Sequence, residues 1–527
     1  MRRILSAAVA CAAVAASVQG QAPAPGAFRI EEATIEGVHA AMTAGRLTCR
    51  ALVDHYLRRI DAYDKTGPAL NAIVLVNPEA GAQADALDRA FAQGGLTGPL
   101  HCVPAIVKDN FETIGLQSAA GSLALEGFVS QADAFQVRRL KEAGAIVLAK
   151  SNMAEWAFSP YETVGSILPG YTRNPYALNR VTAGSSGGTA AAVAANFGLV
   201  GLGSDTGNSI RGPSSHQALA GIRSTLGLTS RGGVVPLNLL ADIAGPMTRT
   251  LADAVAVLQV IAGEDPADPV TAASRGRPRE DYAAALRVDG LRGARIGVLR
   301  QAYERETTDA EIVAVFRAAL EEMTRAGATI VDPAVVEGLD QIRRQEGAPP
   351  CGGFKYDINR WLAGHADAAR TSGSAFPFPT SLEDVIASRR FHPSVQLRLE
   401  RAQEGPEHGP GTPACRMEME YRDRVRAAVL ATLEALRLDA FVYPTWSNPP
   451  RLIGDLNTPH GDNSQFFSPV TGWPAIQVPM GYTRGGVLPA GVTFFGRAWS
   501  ESTLIRLAYA YEQATRHRRP PPRSNGV

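Results

Sequence analysis

The sequence predicts an α/β fold, and two observations carry that prediction. First, an apolar run at 103–107, an amphipathic stretch at 132–143 and a second apolar run at 145–149 form the pattern of a parallel strand–helix–strand unit. Second, the alternation continues downstream with a helix at 189–196, a strand at 199–203, a helix at 250–262 and strands at 294–299 and 328–331. We therefore expect a large α/β sandwich.

Amphipathic helices also flank these strands. From Thr48 onward, apolar side chains recur at helical spacing and would line one buried face; they are Leu52, Tyr56, Ile60 and Tyr63. A second amphipathic helix is predicted over 78–91. Downstream, Thr308 and Glu311 form a capping box that opens a helix, and Gly327 ends it.

The first residues are predicted to be a secretory signal peptide. Two arginines precede an apolar run over 4–18, and a small residue for cleavage follows at Gly20 or Ala22. We therefore assign 1–20 to the signal peptide and 21–527 to a single domain. The mature protein is expected to be exported, either to the periplasm or out of the cell.

Composition and charge exclude several classes of protein. A content of 45% hydrophobic and 20% charged residues is typical of a soluble globular chain, and a formal net charge of +1 gives no electrostatic case for binding nucleic acid. No later stretch is long enough to span a membrane. Without clustered metal-ligand spacings or a nucleotide loop, neither a metal nor another cofactor is expected.

Residues 371–415, rich in proline, glycine and charge, are predicted to be a long surface excursion.

The cysteines leave two readings open. Cys11 lies too early in the apolar run to favour lipidation, and signal cleavage would remove it. The remaining four are Cys49, Cys102, Cys351 and Cys415. Their even number and the expected export permit disulfides, but their wide and patternless spacing favours buried free thiols.

Catalytic chemistry is predicted from two blocks rich in glycine and hydroxyl groups. The blocks are Ala183-Gly184-Ser185-Ser186-Gly187-Gly188-Thr189 and Gly203-Ser204-Asp205-Thr206-Gly207-Asn208-Ser209-Ile210-Arg211. Tight backbone turns of this kind expose N–H groups that can hold a developing oxyanion. Upstream, the strand at 103–107 leads into Lys108. A lysine at the end of a buried strand, together with two serines, suffices for acyl transfer without histidine.

A nucleophile-elbow reading competes with this one. The letters Gly184-Ser185-Ser186-Gly187-Gly188 match G-x-S-x-G, which would make Ser186 the nucleophile. An elbow requires a buried strand directly before it, whereas a polar turn over 173–180 containing Pro175 precedes this motif. The chain's nine histidines mark no triad motif either. We therefore disfavour the elbow.

Together the motifs resemble the amidase signature family of serine hydrolases. The resemblance rests on Lys108 in a Lys-Asp-Asn context followed by the two blocks, and it extends through 224–231, 244–250, 472–479 and 494–498. It covers nearly the whole chain after about residue 30 and thins between roughly 340 and 440. The family's fold, a large mixed β-sheet flanked on both faces by α-helices, is what the resemblance implies.

The resemblance also implies roles for three residues. Ser209 would be the nucleophile, Ser185, following a cis peptide bond from Gly184, would be the bridging serine, and Lys108 would be the base. An exposed lysine is protonated at neutral pH, so Lys108 can act as a base only if burial lowers its pKa. The serine proton would then pass from Ser209 through Ser185 to Lys108.

Further roles follow from the same resemblance. The backbone N–H groups of Thr206, Gly207 and Asn208, with that of Ser209, would form the oxyanion hole. Asn208 departs from the commonest pattern, which has glycine there, but asparagine tolerates left-handed backbone better than other side chains. Supporting roles are assigned to Ser186, Asp205 and Arg211.

The expected activity is hydrolysis of a carboxylic amide to an acid and an amine or ammonia, through an acyl-enzyme on Ser209. Aromatic residues that could wall the pocket favour a neutral apolar or aryl amide, and carbamates or esters are further candidates. Two alternatives stay open: a catalytically inactive ligand-binding protein on the same scaffold, and a glutaminase subunit of a tRNA amidotransferase, which the signal peptide disfavours. The partner would be a small-molecule amide, not nucleic acid, and the protein a monomer or homodimer.

Overall fold

A mixed sheet of eleven strands forms the centre of the molecule in the computed structural model, which describes residues 28–278, 280–344, 351–369, 376–522 and 526. In chain order the strands are β1 (Ile73–Val76), β2 (Pro104–Lys108), β3 (Ile146–Ser151), β4 (Val200–Asp205), β5 (Ala220–Arg223), β6 (Ile243–Thr248), β7 (Arg295–Val298), β8 (Thr329–Val331), β9 (Ala440–Pro444), β10 (Ala475–Thr483) and β11 (Leu488–Phe495). Across the sheet they follow the order β1-β3-β2-β4-β6-β5-β10-β11-β9-β7-β8. The predicted α/β class with a large mixed sheet is confirmed.

The sheet is accompanied by α-helices, which pack against it or against one another. Within the described residues they are α1 (Ile35–Thr43), α2 (Cys49–Tyr63), α3 (Ala80–Gly94), α4 (Phe135–Glu142), α5 (Gly187–Ala194), α6 (Arg211–His216), α7 (Leu251–Ile261), α8 (Ala310–Arg325), α9 (Leu339–Arg344), α10 (Phe354–Ala369), α11 (Leu382–Ser388), α12 (Gln396–Glu404), α13 (Pro413–Ala435), α14 (Phe467–Thr471) and α15 (Glu501–Thr515). Thr48 caps α2 as its side chain accepts a hydrogen bond from the N–H of Ala51. The capping box before α8 differs from the prediction, because Asp309 rather than Thr308 is the cap.

Three neighbouring strands bring the predicted motifs together. β2 pairs with β3 and with β4, both in parallel, so their carboxyl ends meet at one edge of the sheet. Lys108, Ser151 and Asp205 are the last residues of these strands. Ligand sites of parallel sheets form at such edges.

Two large apolar clusters hold the sheet and helices together. One packs β1 to β4 against α1 to α4, and the other packs β5 and β7 to β11 against helices that include α8, α13 and α15. All five residues of β2 and all six of β4 are buried. The motif strands therefore lie in the interior, and a charged side chain at their ends must be paired or neutral.

The segment 371–415 differs from the predicted surface excursion in the part that the structure describes. Leu382 and Val385 of α11 and Leu399 of α12 are fully buried. They pack in one cluster with Ile358 and Leu362 of α10 and with aromatic residues that follow β3. Apolar residues three or four positions apart within a polar segment are typical of amphipathic helices, and this spacing outweighs the Pro- and Gly-rich composition.

The expectation of free thiols is wrong, because all four cysteines of the described chain are paired. Cys49 at the start of α2 is bonded to Cys102 just before β2, with their Cα atoms 5.6 Å apart. Cys351 is bonded to Cys415 near the start of α13, with a Cα separation of 4.2 Å. Tertiary folding brings together cysteines that lie 53 and 64 residues apart in sequence, so spacing alone carried no signal.

The predicted signal peptide, 1–20, lies outside the described residues. Among the residues that are described, no helix is both long and apolar enough to cross a membrane.

Candidate active site

Lys108 is fully buried at the end of β2 and points its amine at three oxygen atoms. Its Nζ lies 2.7 Å from Oγ of Ser185, 2.8 Å from Oγ of Ser204 and 3.4 Å from the carbonyl oxygen of Ser204. The first of these contacts joins the two residues that the sequence resemblance placed in one proton path. The other two contacts were not anticipated from the sequence.

Burial gives this amine an unusual acidity. Desolvation lowers the pKa of Lys108 to about 7, although the negative charges of Asp205 and Asp242 act in the opposite direction. A buried ammonium is disfavoured because it loses its hydration. A large fraction of Lys108 is therefore the neutral amine near neutral pH, and in that form it can accept a proton.

The first serine block turns sharply before α5. The Gly184–Ser185 peptide bond is cis, as the resemblance implied. A side chain at Gly184 would lie 2.5 Å from the carbonyl oxygen of Ser159 and 2.8 Å from that of Glu162, so only glycine fits there. Ser185 itself is fully buried. This packing directs its hydroxyl toward Lys108.

The second block follows β4 and lies directly against the first. The N–H of Ser186 donates to the carbonyl oxygen of Ser209 over 3.3 Å, which ties the two blocks together. Ser209 stands two residues before α6 and is 6% exposed. The structure thus brings Ser209 next to the loop that carries Ser185.

The loop before Ser209 presents a row of backbone donors. No acceptor among the described residues takes a hydrogen bond from the N–H groups of Thr206, Gly207, Asn208 or Ser209. Asn208 does not have the positive φ that its replacement of glycine suggested, and its side chain packs over Gly212. Consecutive unpaired N–H groups beside a serine are the arrangement that an oxyanion requires.

A buried carboxylate fixes this loop. Asp205 accepts hydrogen bonds from Nε and Nη2 of Arg211 at 3.1 and 3.2 Å and from Nη1 of Arg223 at 3.1 Å. It also accepts from the backbone N–H of Ile210 at 3.2 Å. Burial alone would raise the pKa of Asp205, but Arg211 and Arg223 outweigh burial and lower it to about 2. The loop is therefore anchored by a carboxylate between two guanidinium groups.

Sequence reasoning missed Arg223 and Ser204. Arg223 ends the apolar strand β5 and is fully buried, and a charge in such a strand is a signal that a partner of opposite charge lies nearby. Ser204 is inside a quoted motif, but nothing in the sequence indicates which way its side chain faces. Its Oγ also accepts a hydrogen bond from Nδ2 of Asn110 at 3.1 Å.

Ser186, the nucleophile of the disfavoured elbow hypothesis, lies in a different setting from Ser185. Its hydroxyl donates to the carbonyl oxygen of Ser204 at 3.1 Å, and no histidine of the described chain bonds to it. Its contact with Ser204 fits the supporting role that the sequence assigned. No cluster of three or more metal-ligating side chains occurs in the described part of the chain.

A few aromatic side chains lie near the two blocks. Tyr161 lies within the turn, from Ser159 to Glu162, that packs on Gly184, and its ring lies 5.9 Å from that of Trp446. Trp446 in turn contacts the ring of His216 on α6 at 4.8 Å. Met153, Trp156 and Phe158 pack with α10 and α12, whereas Phe467 and Trp473 belong to the main core.

A small cavity of about 10 Å³ borders Asn110, Ser204 and Thr206. Two clefts of about 460 and 650 Å³ lie away from Lys108, Ser185 and Ser209.

Comparison with known proteins places this geometry in a family. Residues 51–505 match the family described as Amidase. A probable amidase of Arabidopsis thaliana is 34% identical over 514 residues, which cover 94% of this chain and 92% of that protein. A glutamyl-tRNA(Gln) amidotransferase chain of Moorella thermoacetica is 34% identical over 454 residues, which cover 83% of this chain and 88% of that protein.

Solved structures agree with this assignment. The native peptide amidase of Stenotrophomonas maltophilia superposes with a TM-score of 0.82 at 38% identity, and the match covers 94% of this chain and 99% of that one. The family match, the relatives and the shared fold lead to one conclusion: the chain belongs to the amidase family and is a hydrolase acting on carbon–nitrogen bonds.

Proposed function

We propose that the protein hydrolyses carboxylic amides through an acyl-enzyme on Ser209, with Ser185 as the bridging serine and Lys108 as the base. The observation that carries the proposal is the 2.7 Å contact between Nζ of a fully buried Lys108 and Oγ of Ser185. A serine hydroxyl attacks a carbonyl only when its proton is removed in step with the attack. Neutral Lys108 supplies the acceptor for that proton.

The steps follow from this arrangement. Ser209 Oγ bonds to the amide carbon as its proton passes to Ser185, whose own proton passes to Lys108. The N–H groups of residues 206–209 stabilise the oxyanion, and each such donor is typically worth about 3 kcal/mol of barrier. Lys108 then returns a proton through Ser185 to the leaving nitrogen, and the C–N bond breaks. Water attacks the acyl-enzyme by the same route and releases the acid.

Neutral apolar or aryl amides are the substrates that we propose, and carbamates and esters are further candidates. Tyr161 and Trp446 lie beside the two serine blocks and offer apolar ring surface. Peptide amides belong to the same class and are worth testing, because a structural neighbour is named a peptide amidase. The proposed partner is therefore a small amide, and the proposed working form of the protein is a monomer or homodimer.

The alternative is a glutaminase that works with partner chains, since several relatives are amidotransferase subunits. We favour a free-standing exported amidase. Support comes from the signal-like pattern of residues 1–20 and from two disulfides, which persist in oxidising compartments. The native mature chain should then begin near Gln21 or Pro23, and intact Met1 in the cytoplasmic fraction would contradict export.

Covalent labelling tests the nucleophile. A fluorophosphonate should modify Ser209 alone, and Ser209→Ala should abolish both labelling and amide turnover while the circular dichroism spectrum stays unchanged. Ser186→Ala is the matched control, because it removes a neighbouring buried hydroxyl and should keep appreciable activity. Labelling that maps to Ser186 would overturn the assignment and restore the elbow reading.

A further inference from the structure

The amine of Lys108 meets three oxygen atoms, and two of them belong to Ser204. Oγ of Ser204 lies 2.8 Å and its carbonyl oxygen 3.4 Å from Nζ, while the third oxygen is Oγ of Ser185 at 2.7 Å. An ammonium has three N–H donors, which this set of acceptors matches in number. The neutral amine has two N–H groups and one lone pair, so one of the three contacts must change when the proton leaves.

The geometry points to Ser204 as a positioning residue for the base. We infer that its Oγ and carbonyl oxygen hold the two N–H groups of neutral Lys108, so that the lone pair faces Ser185. Without these acceptors the amine could rotate about its last bond and direct an N–H at Ser185 instead. The inference rests on the proposed function, in which Lys108 takes the proton of Ser185.

The surroundings of Ser204 hold its hydroxyl in place. Ser204 lies within β4 opposite Ala244 of β6, so its backbone is fixed by the sheet. Nδ2 of Asn110, two residues after Lys108, donates to its Oγ at 3.1 Å. The hydroxyl of Ser186 donates to its carbonyl oxygen at 3.1 Å. Both acceptors that face Lys108 are therefore fixed by other parts of the site.

Removing the hydroxyl should change the pH dependence as well as the rate. Hydrogen bonds to an ammonium are stronger than those to an amine, so loss of an acceptor lowers the pKa of Lys108. The charged groups that act on Lys108 are Asp205 at the end of β4 and Asp242 before β6, and both remain in the variant. The rise of activity with pH should therefore move to lower pH.

The test is kcat/KM against pH, on one amide, for the wild type, Ser204→Ala, Ser204→Cys and Ser204→Thr. We expect Ser204→Ala to lose about tenfold or more at the alkaline plateau and to shift the midpoint down by about one unit, as the loss of a charge-assisted hydrogen bond implies. Ser204→Cys keeps the size but only a weak acceptor, so it should behave like Ser204→Ala even if that variant folds poorly. Ser204→Thr keeps the hydroxyl and should restore the midpoint.

Ser118→Ala is the matched control. The hydroxyl of Ser118 accepts a hydrogen bond from Nζ of the other buried lysine, Lys150, at 2.9 Å, outside the two serine blocks. The Ser118→Ala variant should lose stability without moving the midpoint of the rise in kcat/KM with pH. Ser204 variants that lose activity equally at every pH, or lose none, would overturn the inference while leaving Lys108 as the base. A wild-type profile without any rise through neutral pH would instead overturn the base assignment itself.

Discussion

Nζ of Lys108 lies 2.7 Å from Oγ of Ser185, and both residues are fully buried. Burial lowers the pKa of the amine to about 7, so this contact can carry a proton in either direction near neutral pH. In serine hydrolases that use a histidine as the base, the ordinary pKa of histidine lies in this range already. Here the interior of the protein brings a lysine to the same range.

Activity on amides should rise with pH through about 7 and then reach a plateau, since the pKa of Lys108 is lowered to about that value and the neutral amine is the working form. Lys108→Ala should lose several orders of magnitude on amides and less on activated esters, whose leaving groups need little protonation. Lys108→Arg should fail nearly as badly, because guanidinium keeps its proton in this range. Profiles of kcat/KM on one amide and one ester check this, and wild-type amide hydrolysis by Lys108→Arg would exclude the lysine as base.

The part of the site that the sequence predicts is the part that lies in contiguous motifs. Lys108, Ser185 and Ser209 each stand in a short pattern with its own backbone requirement, and the strand order then brings the patterns to one edge of the sheet. Arg223 and the side-chain direction of Ser204 depend on contacts between strands that no local pattern records. The disulfide pairing of the cysteines could not be predicted for the same reason, since only the fold shows which cysteines approach each other.

The core of the fold was predictable for a related physical reason. Buried strands such as β2 and β4 are apolar runs up to the polar residues at their carboxyl ends, and the helices between them carry the complementary spacing. The helices α11 and α12 could not be predicted from the sequence, because short helices within a segment rich in proline and glycine give a weak hydrophobic periodicity. The apolar residues of this region, such as Leu382 and Leu399, are recognisable as core residues only once the fold packs them against α10.

Asp205→Asn should destabilise the protein by about 3–5 kcal/mol, because it leaves Arg211 and Arg223 buried without their counter-charge. Turnover should fall as well, since the same carboxylate holds the N–H of Ile210 beside the proposed oxyanion loop. Denaturant unfolding measures the first effect and kcat the second. Asp289→Asn, which breaks an exposed ion pair with Arg287, is the control and should leave the free energy of unfolding nearly unchanged. Equal losses in the two variants would contradict the anchoring role.

His365→Gln should lower stability more at pH 6 than at pH 9. Nε2 of His365 on α10 lies 2.9 Å from Oε1 of Glu112. Burial alone would lower the pKa of His365, but the hydrogen bond to Glu112 outweighs burial and raises this pKa. A raised folded-state pKa contributes stability that is complete below the ordinary value and is lost as pH rises through the raised value. Thermal midpoints of both proteins at the two pH values check this, and a loss independent of pH would contradict it. Amide turnover at the alkaline plateau should stay within about tenfold, because no histidine takes part in the proposed proton path.

Removing the Cys49–Cys102 disulfide should lower the free energy of unfolding by about 4 kcal/mol, the loop-entropy value for a separation of 53 residues. The double variant Cys49→Ala/Cys102→Ala should keep its turnover at 25 °C, because the bond joins α2 to the start of β2 and neither cysteine touches Lys108 or the serines. Denaturant unfolding without reductant measures the loss. Reductant should deepen this loss in the variant, because it also breaks the remaining Cys351–Cys415 bond. Cys351→Ala/Cys415→Ala is the matched comparison, since it removes a bond of similar span at the region formed by α10 to α13.

Mass spectrometry of unreduced peptides identifies the disulfide pairs directly. Finding all four cysteines as free thiols in the native protein would contradict both bonds and remove one of the two supports for export.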